Sequence, residues 1–220
     1  MEQSLVIIKP DGTIRRAVGA RVLKALMERG YHVQAFKEMN VSDELAKKHY
    51  AIHSEKSFFP WLVQFITSAR VLAMVLEADS VIDGVREALG ATFVQKASPE
   101  SLRGKYGTWA GVNIAHASDS PETAVTEIEL WKTEGGLQIS NQAEAEAKQY
   151  INRYSSNDFN NTLEIRETVK KAIEEGNTSQ NVLLTLQKLY GMDAEGVPES
   201  EVAALAKAVF DFIIEEVEKK

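Results

Sequence analysis

"SLVIIKPDGTIRRAVGARVLKALMERGYHVQAFKEMNV", residues 4–41, sets the architecture. The apolar run Leu5–Ile8 is stopped by Pro10 and turned by Asp11-Gly12, the pattern of a buried strand. Val18, Val22, Leu23 and Leu26 then recur at helical spacing, and Gly30 stands where a helix C-cap belongs. Residues 31–41 alternate apolar with polar, as a half-buried strand does. A strand, a helix and a second strand therefore open the chain.

The units that follow keep this grammar. Ser42 and Asp43 start a helix through Tyr50 and His53, and "FFPWLVQFITS" (58–68) reads as another. "RVLAMVLEA" (70–78) is a strand and "SVIDGVREALG" (80–90) a helix ended by Gly90. Residues 91–112 read as a long loop, and "NIAH" (113–116) as a short strand. Ser120-Pro121 caps a helix that runs to Trp131. The order predicts an α+β domain, a ferredoxin-like antiparallel sheet with helices on one face.

Past Gly135-Gly136, expected to be a flexible joint, strand signals cease. Four helical patterns follow, near 141–153, 162–175, 179–190 and 199–218. Charge divides at the same place. Residues 1–134 carry 16 Lys and Arg against 17 Asp and Glu, whereas 135–220 carry 9 against 15. The expected domains are thus 1–134 and an all-α extension, 135–220, from which no chemistry is expected. A chain of net charge −7 is a poor general binder of nucleic acid, which needs clustered cations. The absence of cysteine excludes disulfides and thiolate chemistry. No apolar run is long enough for a signal peptide or membrane span, so a cytoplasmic protein is expected.

Several polar residues sit on apolar patterns. Lys9 ends the strand Leu5–Ile8; Arg86 falls among Ile82, Val85 and Leu89; Glu127 lies on the stripe of Ala124, Ile128 and Trp131. His116 is flanked by Ala115 and Ala117. Each has a plain structural reading: a strand end reaching water, a snorkelling arginine, a surface ion pair, a satisfied core histidine. His49 and His53 are spaced like metal ligands, but without a H-E-x-x-H pattern they read as a helix face. No glycine-rich phosphate loop is present, so any phosphate must be held by side chains such as Lys9, Arg86, Arg103 and Thr92. An imidazole, which ordinarily titrates near pH ~6.5, is a competent nucleophile at neutral pH.

"LVIIKPDG" (5–12), "HY" (49–50), "FFPWLV" (58–63), "VREALG" (85–90), "SLRG" (101–104) and "NIAHASDS" (113–120) together resemble the nucleoside diphosphate kinase family over residues 2–131. The resemblance implies γ-phosphate exchange between nucleoside tri- and diphosphates by a ping-pong route. In it, His116 carries the phosphoryl group and Glu127 with Ser118 orients the ring. It implies that Lys9 and Asn113 bind ribose and phosphate, and that Arg86, Thr92 and Arg103 bind phosphates. It further implies that Phe58 stacks on the base with Leu62 beside it, that Tyr50 lies near the nucleophile, and that Mg2+ arrives on the nucleotide. No protein-borne metal site is implied. Stacking reads no base edge, so low base specificity is expected, and a homo-oligomer is implied. Position 117 departs from the family, with Ala for Gly, and the loop after Thr92 lacks the usual Asn-Pro. A phosphohistidine relay, or a regulatory nucleotide-binding scaffold acting on a protein partner, is the alternative reading.

Overall fold

The computed structural model describes residues 1–156 and 160–219. Four strands, β1 (Glu2–Ile8), β2 (His32–Met39), β3 (Val71–Ala78) and β4 (Ala115–Ala117), form one sheet in the order β2-β3-β1-β4. Every neighbouring pair is antiparallel. β1 lies inside the sheet, and Leu5 through Ile8 are wholly buried. The continuous apolar run follows from burial on both faces.

Period-two alternation assigns those faces. Val6 and Ile8 join Leu72, Met74 and Leu76 under α2 (Arg16–Met27) and α5 (Val81–Leu89). Leu5 and Ile7 join Ala73 and Val75 under α3 (Asp43–His49), α4 (Phe59–Thr67) and α7 (Pro121–Thr133). The expectation of helices on one face is therefore corrected: helices cover both. Both parities of β1 are apolar, so neither face can be left to water.

Local chemistry starts and stops these helices. Ser42 Oγ accepts from the Leu45 N–H and caps α3. Ser120 and Thr123 form a reciprocal capping box with Pro121 in the first turn of α7. Gly30 takes φ +84°, a left-handed geometry that suits a residue without Cβ. The stretch expected as loop contains a 3-10 turn, Val94–Lys96, and the short helix α6 (Leu102–Tyr106), capped by Ser101. Turns this short give no apolar periodicity to read. A still shorter helix, α1 (Pro10–Thr13), follows Lys9.

The four expected tail helices are present: α8 (Ala143–Tyr154), α9 (Thr162–Glu175), α10 (Gln180–Asp193) and α11 (Glu199–Glu218). α8 lays Ala143, Ala147, Tyr150 and Ile151 into the same core as Val6 and Ile8. α9, α10 and α11 share a third core with Ile14, Trp61, Phe65 and Val112. The joint at Gly135-Gly136 is fastened, with Lys37 Nζ donating to the Gly135 carbonyl at 2.9 Å and the Gly136 carbonyl at 3.2 Å. Polar ties also cross residue 134. Buried Arg15 donates to the Asp11 carbonyl (2.6 Å), the Tyr106 carbonyl (2.8 Å) and Thr162 Oγ1 (2.7 Å). Arg70 grips Glu201 with Nε at 2.9 Å and Nη2 at 2.7 Å. None of the described helices is long and apolar enough to cross a membrane.

Candidate active site

A cavity of about 790 Å³ opens beside the short strand β4. Lys9, Tyr50, Phe58, Leu62, Arg86, Thr92, Arg103, Asn113, His116 and Glu127, expected from sequence, all line it. Ser118 is fully buried behind this wall, where its Oγ donates to Glu127 Oε2 at 2.6 Å. These residues come from widely separated segments, and the sheet gathers them.

His116 pairs with Ile7 across the β1–β4 ladder, so it projects from the face that α3 and α7 cover. There Glu127, one turn before Trp131 on α7, brings Oε1 to 3.0 Å from His116 Nε2. The approach is off the N–H axis, and Nε2 is buried without a hydrogen-bond partner. The contact is electrostatic and becomes a hydrogen bond with a small ring rotation. Ser118 Oγ also accepts the Leu5 N–H at 3.1 Å, so the Glu127 carboxylate is tied through Ser118 to the sheet itself. His49 stacks edge-on against His116, ring centroids 4.5 Å apart, and its Nδ1 accepts from Trp131 Nε1 at 3.3 Å. Burial, then the charges of His116, Lys9 and His53, push the His49 imidazole well below its ordinary range, so this neighbour is neutral. The reading of His49 as a plain helix face is corrected: α3 turns it into the site. Tyr50 is buried with an unpartnered hydroxyl, and burial, followed by the Glu127 charge, holds its pKa up.

The cations form the opposite chemistry. Lys9 Nζ donates to Asn113 Oδ1 at 2.8 Å, and Asn113 Nδ2 donates to the Thr92 carbonyl at 2.7 Å. Burial lowers the Lys9 ammonium from 10.5 to about 8, with Asp11 opposing and Arg103 assisting. Arg103 braces β4 from below, donating to the Ala115 carbonyl at 2.9 Å and the Gly90 carbonyl at 2.8 Å. Its Nε is buried without a partner. Burial, then the like charge of Arg86, lowers it to about 10. Arg86 was expected on the buried stripe. It is exposed at the pocket wall, because Val85 and Leu89 take the core side and position 86 lies about 100° further round the helix.

One residue of this arrangement was missed in the sequence. Asp11, read as half of a turn, is wholly buried and its Oδ2 accepts the Ile114 N–H at 2.9 Å. Ile114 holds φ +67°, a strained geometry for a β-branched residue, while its carbonyl accepts from the Lys9 N–H at 2.7 Å. Asp11 and Lys9 thereby clamp the bend that delivers Asn113 and His116 to the cavity from opposite sides. A carboxylate two residues after a lysine, both at the end of a buried strand, was the available signal.

At the far end Phe58 is partly exposed, with the His53 ring 5.7 Å away, and Leu62 is half buried beside Trp61. The tail also reaches this end. Phe212, Glu215, Glu216 and Lys219 line the same cavity. Among the described residues one group offers clustered metal-type ligands, His49, His116 and Glu127, with ligand atoms within 4.8 Å of one another. The spacing of His49 and His53 had pointed elsewhere.

Fold and cavity together define an α+β protein of the ferredoxin-like kind, with a histidine and a set of lysine and arginine side chains lining one cavity. The model of the nucleoside diphosphate kinase family matches residues 2–135, and the chain belongs to that family. A nucleoside diphosphate kinase of Trichormus variabilis is 44% identical over 137 residues, covering 62% of this chain and 91% of the relative. One of Nocardia farcinica is 48% identical over 131 residues, covering 59% and 94%. Among solved structures, the Halobacterium salinarum enzyme in complex with CDP is 37% identical, with a TM-score of 0.58 over 66% of this chain and 97% of that one. The matched segment ends just past α7, and the tail helices lie beyond it.

Proposed function

We propose that this protein exchanges γ-phosphates between nucleoside tri- and diphosphates by a ping-pong route through His116. The observation that carries the proposal is that one imidazole, with Glu127 beside its Nε2, shares a single cavity with the cations Lys9, Arg86 and Arg103. A carboxylate beside Nε2 favours the tautomer with the proton there, which leaves the lone pair on Nδ1. Nδ1 attacks the γ-phosphorus, the N–P bond forms as the bond to the β–γ bridging oxygen breaks, and that oxygen leaves with the electron pair. A second diphosphate reverses the step. Glu127, tied to Ser118, is the positioning group that stabilises the charged ring.

In-line displacement at phosphorus needs placement and charge neutralisation more than covalent help. Arg86, the Nε of Arg103 and Thr92 are the phosphate ligands in this reading, and Lys9 with Asn113 holds ribose and phosphate. The Tyr50 hydroxyl, kept protonated by burial, donates near the nucleophile. Phe58 and Leu62 clamp the base by its faces, which admits purines and pyrimidines. The His49, His116, Glu127 group is rich in nitrogen and suits a transition metal better than magnesium, which prefers oxygen and keeps its waters. Magnesium therefore fits as an ion carried on the nucleotide phosphates, where it neutralises charge. A cytoplasmic homo-oligomer completes the proposal.

The test is a two-stage transfer. The protein is loaded with ATP and magnesium, freed of nucleotide and then given GDP. Release of GTP from a phosphoprotein supports the reading. A stable phosphoprotein that ignores every diphosphate overturns it in favour of a relay.

A further inference from the structure

The carboxyl-terminal helix adds a wall that the matched segment lacks. Phe212, Glu215, Glu216 and Lys219 fall at i, i+3, i+4 and i+7, so one face of α11 and its C-cap carries all four, and all four line the cavity that holds His116. The helix is firmly seated. Trp61 Nε1 donates to the Ala208 carbonyl at 2.9 Å, the Trp61 and Phe212 rings are 5.0 Å apart, and Gln64 Nε2 donates to Asp211 at 2.7 Å. Trp61 and Gln64 belong to α4, which also bears Leu62 and begins behind Phe58. Docking on α4 therefore sets this face of α11 at the aromatic end of the cavity.

The wall is acidic. Glu216 pairs with Lys219 at 2.8 Å, while Glu215 makes no ion pair among the described residues. Burial raises the Glu215 pKa, with Lys219 opposing and Glu216, Asp211 and Glu218 adding to the rise. A carboxylate only accepts hydrogen bonds. It accepts from the exocyclic amino group of guanine, adenine or cytosine, and repels the O4 carbonyl that uracil and thymine carry where cytosine has its amino group.

We infer that α11 is a base-reading wall in which Glu215 and Glu216 accept hydrogen bonds from the amino groups of guanine, adenine and cytosine, and so disfavour uracil and thymine. The inference rests on the proposed function, with the base lying on Phe58. Stacking alone is blind to base edges, so the edge contact superimposes a preference on broad acceptance. The same negative wall turns the phosphates away, toward Arg86 and Arg103.

The full-length protein is phosphorylated with ATP and freed of nucleotide. Its discharge is then followed in single turnovers against increasing GDP, ADP, CDP or UDP. The wild-type protein takes the three amino-bearing diphosphates about fivefold more tightly than UDP, the factor that one net hydrogen bond supplies. The double variant Glu215→Ala, Glu216→Ala lies at a helix end where alanine is tolerated. It closes that gap by weakening the three amino-bearing diphosphates while UDP stays where it was. A wild-type protein that takes UDP as tightly as the others overturns the inference, as does a variant that keeps the gap or weakens all four alike. Failure of every diphosphate to discharge the wild-type phosphoprotein is a different result, and it overturns the proposed function itself.

Discussion

Raising the pH through the Lys9 transition should weaken nucleotide capture before it slows turnover. Burial holds the free protein's Lys9 at about 8 against an ordinary 10.5, a depression worth about 3 kcal/mol at 1.36 kcal/mol per tenfold. About nine in ten Lys9 side chains are then charged at pH 7 and about one in ten at pH 9. A phosphate oxygen arriving at roughly 4 Å contributes up to about 4 kcal/mol at an effective dielectric of 20, enough to return the bound-state pKa toward its ordinary range. The limb of kcat/KM reports the free enzyme and that of kcat the complex. kcat/KM for ATP should therefore fall above about pH 8, while kcat stays level to a higher pH. Stability follows the opposite sign. The folded pKa lies below the unfolded one, so the unfolded chain binds more protons between about pH 8 and 10.5, and the Lys9 penalty is relieved as pH rises through that window. The assay is a coupled exchange reaction across roughly pH 6.5–10, repeated with Lys9→Arg, whose guanidinium does not titrate there. A kcat/KM limb that survives unmoved in Lys9→Arg, or limbs of kcat and kcat/KM that coincide, would refute the reasoning.

Three further outcomes are expected. His116→Ala should lose exchange while nucleotide binding, followed by calorimetry, persists, because the cationic wall is untouched; turnover above trace in a pure sample would contradict the covalent route. Phe58→Ala should weaken purine and pyrimidine nucleotides by a similar amount, roughly 1–3 kcal/mol for the loss of one stacking partner, and a loss confined to one class would show that its faces are not the contact. Ending the chain at Glu134 removes Tyr150 and Ile151 from one core and Phe210 and Ile213 from another. The melting temperature should therefore drop and KM rise, while phosphorylation of His116 in the folded fraction survives. An unchanged melting temperature and KM, with mass checked by light scattering, would mean that the tail neither supports the core nor borders the site.

Sequence by itself determined most of the elements and named most of the side chains that the fold brings to one cavity. The apolar run at Leu5–Ile8, the helical spacing to Gly30 and the Ser120-Pro121 start are local, short-range signals, and they predict β1, α2 and α7. Lys9 and Glu127 were legible because a charge on an apolar pattern conflicts with its surroundings. What they do together was not legible. Only the antiparallel pairing of Ile7 with His116 decides that the imidazole faces α7 and meets Glu127. Only the seating of α3 makes His49 a neutral neighbour rather than a surface residue. Asp11 escaped notice because Asp-Gly is also what any turn uses, and its partner Ile114 lies 103 residues away. The tail shows the limit most plainly. Phe212, Glu215, Glu216 and Lys219 spell one helical face in the sequence, but a face says nothing about what it meets. The bond from Trp61 to Ala208, spanning 147 residues, brings that face to the cavity. Contacts of that range depend on how whole elements pack, and no local pattern encodes them.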